Sequence, residues 1–266
     1  MDKVSRILVH ICKERAAPQR AHFVQSVTGH FSDGGADLVE VSCSLEKNQF
    51  IVYRPDQGRG IPLKRPAFCP IKHLSVTEVA AIPLDIQQRG IDVGVAIILQ
   101  TANEKVLLTR RAKELRIFPN VWVPPGGHLE PDETLLDAGL RELKEETGLK
   151  LEPEEVSPKI LGLWEVQASL SPSPAEVSAC LWADSRLVRA IVSAVDGEDA
   201  EVRVDGVPSS VSVWQVSSDG ALSDASLPLA VLISRAPISG PDVERVSTGT
   251  KFALELWLKT LETPDP

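Results

Sequence analysis

Residues 127–149 read GHLEPDETLLDAGLRELKEETGL, and this stretch decides how the middle of the chain folds. Leu135, Leu136, Gly139, Leu140 and Leu143 recur at helical spacing and make one apolar stripe. Pro131 and Asp132 precede the stripe, and Asp132 is the expected N-cap. Gly148 falls where a left-handed C-cap is needed, and Pro124, Pro125, Gly126 and Gly127 form a stiff turn ahead of the helix. The spacing therefore predicts loop–helix–loop. Three acids, Glu142, Glu145 and Glu146, occupy about one turn of that helix. Like charges three and four positions apart share a face and repel by a few tenths of a kcal/mol per exposed pair. Acids gathered against that repulsion point to a cation between them, and an all-oxygen ligand set suits Mg²⁺ or Mn²⁺.

The same residues resemble the Nudix box, G-x5-E-x7-R-E-U-x-E-E-x-G-U with U aliphatic. Gly127, Glu133, Arg141, Glu142, Leu143, Glu145, Glu146, Gly148 and Leu149 fill every specified position. At average residue usage such a match arises by chance about once in 10⁹ positions. The resemblance runs from about Asp92 to Trp164. The flank VLLTRRAKELRIFPNVWVPPGGHLEPDE further resembles the Nudix branch called nucleoside diphosphate-linked moiety X motif 17, described as hydrolysing mRNA caps. The resemblance implies an α/β fold, a Nudix-type α/β/α sandwich with a mixed sheet. It implies Glu142 and Glu146 as the main metal ligands, and Glu145 as a further ligand or general base. Catalysis would rest on Glu145, Glu146 and Arg141, with Arg141 orienting the acids through a pair with Glu133 or a neighbour. Gly127, Glu133 and Gly148 would shape the motif. His128 lies outside the specified positions, and a surface role is the simpler reading for it.

Composition sets the outer bounds. The chain has 266 residues, 43% of them hydrophobic, enough for one large domain or two modest ones. Cys12, Cys43, Cys69 and Cys180 are scattered, which suits reduced thiols better than a disulfide framework or a zinc ribbon. Residues 1–20 contain no secretory apolar region and no stretch reaches the length of a membrane span, so the expected location is intracellular, cytoplasmic or nuclear. The formal net charge of −9 argues against nonspecific nucleic-acid coating but leaves room for one phosphorylated RNA end. The expected partners are a capped RNA 5′ end or a nucleotide-linked small molecule, with neither membrane nor DNA. Arg59, Lys64, Arg65 and Lys72 read as solvated surface, whereas Arg110, Arg111 and Arg116 lie near the acidic helix and are candidate substrate contacts.

Along the chain, residues 4–12 and 38–53 read as strands, 17–29 as a helix, and 54–73 as a linker or long loop. Residues 1–88 form the expected accessory α+β region and 89–266 the hydrolase domain. Strands are expected at 92–99, 105–109, 121–123, 160–164, 201–216 and 227–234, with an amphipathic helix at 241–261. Residues 165–185, EVQASLSPSPAEVSACLWADS, are rich in Ser and Pro where the cap-hydrolysing branch calls for strands. They read as a loop insertion or as the mark of a missing segment, and they place part of the substrate pocket in question.

Three functions compete on these residues. The first is hydrolysis of the 7-methylguanosine cap of mRNA, with Trp122 or Trp164 available to stack a base, although core packing explains each more simply. The second is a coenzyme A diphosphatase, because Leu107–Ala112, Arg116 and Pro125–Gly127 resemble the coenzyme A signature, with Asn120 where that signature prefers Gly. The third is a Nudix-fold nucleotide-binding module without turnover, a class that usually loses a metal acid; this chain keeps all three. An NADH pyrophosphatase would need zinc-ribbon cysteines that are absent here.

Overall fold

The computed structural model describes residues 6–12, 17–32, 35–55, 60–67, 69–116, 118–164, 176–194, 206–217, 220–234 and 245–262. The backbone is mixed α/β and divides into two compact units. The first holds residues 1–95, 127–140 and 152–169, and the second holds 96–126, 141–151 and 170–266.

The first unit is built on a six-stranded mixed sheet. Its strands are Leu8–Cys12 (β1), Gln19–Arg20 (β2), Leu38–Glu46 (β3), Gln49–Tyr53 (β4), Ile61–Lys64 (β5) and Leu163–Trp164 (β10), in the order β10-β5-β3-β4-β1-β2. The β3–β4 hairpin closes through Lys47 and Asn48, whose φ values of 50° and 60° match the twist of the flanking strands. Strand β1 alternates cleanly, sending Ile7, Val9 and Ile11 into a core shared with Val41, Phe50, Val52 and Leu63. Val27 and Phe31 of Val27–Phe31 (α1) join that core, capped at Ser26, whose hydroxyl accepts from the Gly29 amide at 2.9 Å. Short helices Val76–Ala81 (α2) and Leu84–Gln87 (α3) follow. Gly94–Ala96 (β6) pairs with Gly126–His128 (β9).

Two expectations change here. Residues 17–29 are not one helix: Gln19–Arg20 pair with β1, and only the five residues of α1 are helical. Residues 54–73 are more than a linker, because Ile61–Lys64 pair with both β3 and β10.

The second unit carries a six-stranded sheet of Lys105–Arg111 (β7), Val121–Val123 (β8), Val177–Asp184 (β11), Ser210–Val216 (β12), Leu222–Pro228 (β13) and Arg245–Val246 (β14). Their order is β13-β12-β11-β7-β8-β14. β7 and β11 are the central antiparallel pair, and Val106, Leu107, Leu108 and Thr109 are buried on both faces of β7. Ser185–Ser193 (α5) starts at Asp184, whose carboxylate accepts from the Leu187 amide at 2.9 Å. Its buried side chains Leu187, Val188 and Ile191 pack beside Thr248–Glu262 (α7), and Leu229–Ile233 (α6) lies near β14. Trp257 of α7 donates its indole N–H to Gln100 Oε1 at 2.6 Å. The sequence predicts a strand at 227–234, but Leu229–Ile233 are helical: a short apolar run fits either state, and Pro228 begins the turn. The strand expected over 92–99 shrinks to Gly94–Ala96. Residues 176–184 are not an irregular stretch but strand β11 and its lead-in, at the centre of the sheet; residues 165–175 lie outside the described residues.

The box helix runs Leu135–Thr147 (α4). Its N-cap is Thr134 rather than Asp132: the Thr134 hydroxyl accepts from the Asp137 amide, and Asp137 Oδ2 accepts from the Thr134 amide, each at 3.1 Å. Asp132, at φ 66°, instead exchanges hydrogen bonds with Asn48 at 2.8 and 3.0 Å. Gly94 is tight against backbone rather than against a side chain that could move. A Cβ there would lie 2.9 Å from the Gly127 carbonyl oxygen, a backbone atom. Gly94→Ala is therefore expected to lower stability by about 1–3 kcal/mol, read as a shifted midpoint in chemical denaturation. A wild-type midpoint would remove the steric argument.

Candidate metal and phosphate site

Leu143 has no exposed surface and anchors α4, so Glu142 and Glu146, four residues apart, stand together on the flank beside it. Gly148, at φ 75°, ends the helix with its amide donating to Lys144 O at 2.8 Å. The Glu142 side chain is 13% exposed and that of Glu145 is 59% exposed. Arg141 Nη1 bridges them, 2.8 Å from Glu142 Oε1 and 3.3 Å from Glu145 Oε2. Two of the residues that Arg141 pairs with are thus its own helix neighbours. Glu133 turns back on its loop and accepts from the Glu130 amide at 3.1 Å.

Glu146 is the most perturbed acid. Burial pushes its carboxyl up to about 8, with the charges of Glu176 and Glu142 adding to the effect, against the opposing pull of the Gly126 amide and Arg111. The Thr109 hydroxyl lies 3.4 Å from Glu146 Oε2 and 3.2 Å from Val123 O. Burial also raises Glu142, offset by its bond to Arg141 and reinforced by Glu145 and Glu176. The acids face one another with too little positive charge to settle both, which is the electrostatic condition a divalent cation relieves. The donors are all oxygen, as a hard cation requires. Among the described residues no three His, Cys, Asp or Glu side chains form a ready-made cage. The residues present fit such a cation, and Glu142 and Glu146 are the ones that would hold it.

Glu176 is a site residue that the sequence reading did not pick out. It stands just ahead of β11, where its carbonyl accepts from the Ala112 amide at 2.7 Å, and its charge bears on both Glu142 and Glu146. The available signal was the alternation Val177, Ala179, Leu181, Ala183, which marks the segment as a strand entering the sheet. The candidate arginines separate by parity. Thr109 and Arg111 share the β7 face that looks toward Glu146, while Arg110 points to the other face, its Nε 2.9 Å from Ser178 Oγ and its guanidinium 5.9 Å from the Trp122 ring centre. Arg116 is exposed in the β7–β8 connection. His128 is partly exposed on β9, Trp122 is fully buried, and the Trp164 side chain lies outside the described residues.

The NUDIX domain family matches residues 89–218. The protein named m7GpppN-mRNA hydrolase NUDT17 from Danio rerio is 56% identical over 98% of this chain and 98% of its own length. The proteins of that name from Xenopus laevis and Homo sapiens are 44% and 39% identical, covering 99% and 94% of this chain and 98% and 87% of their own lengths. The chain belongs to the Nudix family. Nudix proteins in general work with divalent metal cations. The Danio rerio alignment runs over 294 positions, more than the 266 residues here, so that relative carries residues this chain lacks.

Because Glu146 is half-buried among other acids, Glu146→Gln removes repulsion from the metal-free protein. The variant is expected to melt at a temperature equal to or above that of metal-free wild type. Millimolar Mg²⁺ or Mn²⁺ is expected to raise the wild-type Tm by about 3 °C or more and leave the variant unchanged. Equal shifts in both proteins would remove Glu146 from the cation site.

Proposed function

We propose that this chain is a metal-dependent Nudix pyrophosphohydrolase that opens the diphosphate linkage of the 7-methylguanosine cap of mRNA. The observation that carries the reading is the pairing of Glu142 with the half-buried Glu146, in a chain that matches proteins named m7GpppN-mRNA hydrolase along nearly its whole length. Phosphoric anhydrides resist water because their oxygens repel a nucleophile. A bound divalent cation, Mg²⁺ or Mn²⁺, screens that charge and lowers the pKa of water at the site. Glu142 and Glu146 hold the ion on this reading. Arg141 keeps Glu142 in place and holds Glu145, the more exposed acid, within reach as a proton acceptor. Arg111 contributes positive charge beside Glu146, where phosphate arrives.

Residues 89–266 then carry the hydrolase domain and 1–88 an accessory region, a division supported at its start by the family match from residue 89. No helix among the described residues is long and apolar enough to cross a membrane. A cytoplasmic or nuclear site of action follows from the substrate.

The test presents capped RNA and coenzyme A together to the purified protein with Mg²⁺ or Mn²⁺ and separates the products by mass. Release of 7-methylguanosine diphosphate from capped RNA, reduced about 10²-fold or more in Glu146→Gln, is the expected result. Preferential release of 3′,5′-ADP would move the activity to coenzyme A, and full activity in the variant would sink the assignment. Arg141→Ala, which frees both acids it bridges, is expected to lower kcat by about tenfold or more with a smaller change in KM. An unchanged kcat would deny Arg141 its positioning role.

A further inference from the structure

Strands β11 and β12 pair only at Ala179↔Gln215 and Cys180↔Trp214 among the described residues. Beyond Cys180 they part, and an open cleft of about 350 Å³ lies between the second half of β11 and the first half of β12. Trp182 and Trp214 line it, with Lys105, Asp184 and Arg186 around its rim. Both indoles belong to the sheet face of the metal site. Cys180 sits directly across from Thr109, whose hydroxyl lies 3.4 Å from Glu146 Oε2, which puts Cys180 on the Glu146 face. Alternation along β11 puts Trp182 on that same face, and direct pairing puts Trp214 there too. Trp182 lies about 7 Å along the strand from Cys180, two residues at strand spacing. That is about the distance from a nucleotide's phosphate to its base. Trp214 is 40% exposed, so a large aromatic surface stands open in the cleft.

We infer that the cleft between β11 and β12 seats a purine base of the substrate on Trp182 and Trp214, while the attached phosphates reach the acids of α4. The inference rests on the hydrolase reading above and adds to it the base-binding surface. A flat purine presents two stacking faces, and indole is the side chain with the largest complementary face. The volume is at the small end of ligand sites and suits one nucleoside rather than a protein segment. Asp184 supplies an acceptor for purine edge N–H groups or for the positive charge of a 7-methylated ring, although it also caps α5 and lies 3.4 Å from Arg186 Nη2. Lys105 and Arg186 offer the rim positive charge for a neighbouring phosphate.

The test uses nucleoside monophosphates, which have no diphosphate linkage to cleave, so binding is read without turnover. Calorimetric titration of the full chain with 7-methylguanosine monophosphate, GMP and UMP is expected to rank both purines ahead of UMP. Trp214→Ala and Trp182→Ala are expected to weaken purine binding about tenfold or more while inorganic phosphate binding stays unchanged. Trp214→Phe, which keeps a flat ring, is expected to recover most of the loss and guards against a folding defect in the alanine variant. With capped RNA, the alanine variants are expected to raise KM about tenfold and to change kcat by less than about threefold. Purine binding that is undetectable, no better than UMP, or equal in wild type and both alanine variants would overturn the inference. A wild-type protein that fails to cleave capped RNA yet binds purines through Trp214 would overturn the hydrolase reading alone.

Discussion

Everything at this site depends on one uncomfortable carboxylate. Glu146 is half-buried, and Glu142 and Glu176 oppose its charge, so its carboxyl is pushed up to about 8 from the usual acid range. Such a group is a cost to the folded chain unless something positive joins it. The parts that hold it there are the rigid ones. Leu143 buries the neighbouring face of α4, the Thr109 hydroxyl stands under it from the central strand, and the Gly126 amide contributes a fixed dipole. None of these can move without disturbing β7 or the helix end. The acids thus lack a full counter-charge, the condition that a divalent cation would relieve.

Strand parity then distributes the chemistry. Along β7, Thr109 and Arg111 face Glu146 while Arg110 is turned to the opposite side and tied to Ser178. Along β11, Ala179, Leu181 and Ala183 fill the core, and Cys180 and Trp182 take the other face. A shift of one residue in either strand would exchange these sets and remove the site. The bulge between Val177 and Ala179 absorbs the irregular entry of β11 ahead of the paired region, so Glu176 can sit near the acids without disturbing the register from Ala179 onward.

Much of this was legible in the sequence because it is local. The helix α4, its acids and the Gly148 stop follow from three- and four-residue spacing, and β3 and β4 follow from their β-branched content. What escaped is what depends on distant partners. Ile61–Lys64 carries Pro62 and reads as loop, yet pairs with β3 on one side and β10, a hundred residues later, on the other. Leu229–Ile233 is an apolar run too short for periodicity to type, and it became a helix. Asp132 had the chemistry of a cap, but Asn48 claimed it from another part of the chain and Thr134 took the cap. Arg110 and Arg111 are adjacent and alike in sequence; only the parity of β7, fixed by its register with β11, tells which one faces the acids.

Glu176 and the two tryptophans illustrate the same limit from the other side. Glu176 and Trp182 lie in the segment whose Ser- and Pro-rich start suggests a loop, and Trp214 lies on the strand paired with it. Val177–Asp184 is paired with β7, with a bulge between Val177 and Ala179, and buries every second side chain. Its core-facing residues Ala179, Leu181 and Ala183 hold the strand in place, and Cys180 and Trp182 take the face of Glu146. The register with β7 decides which side chains of β11 lie on the face of Glu146.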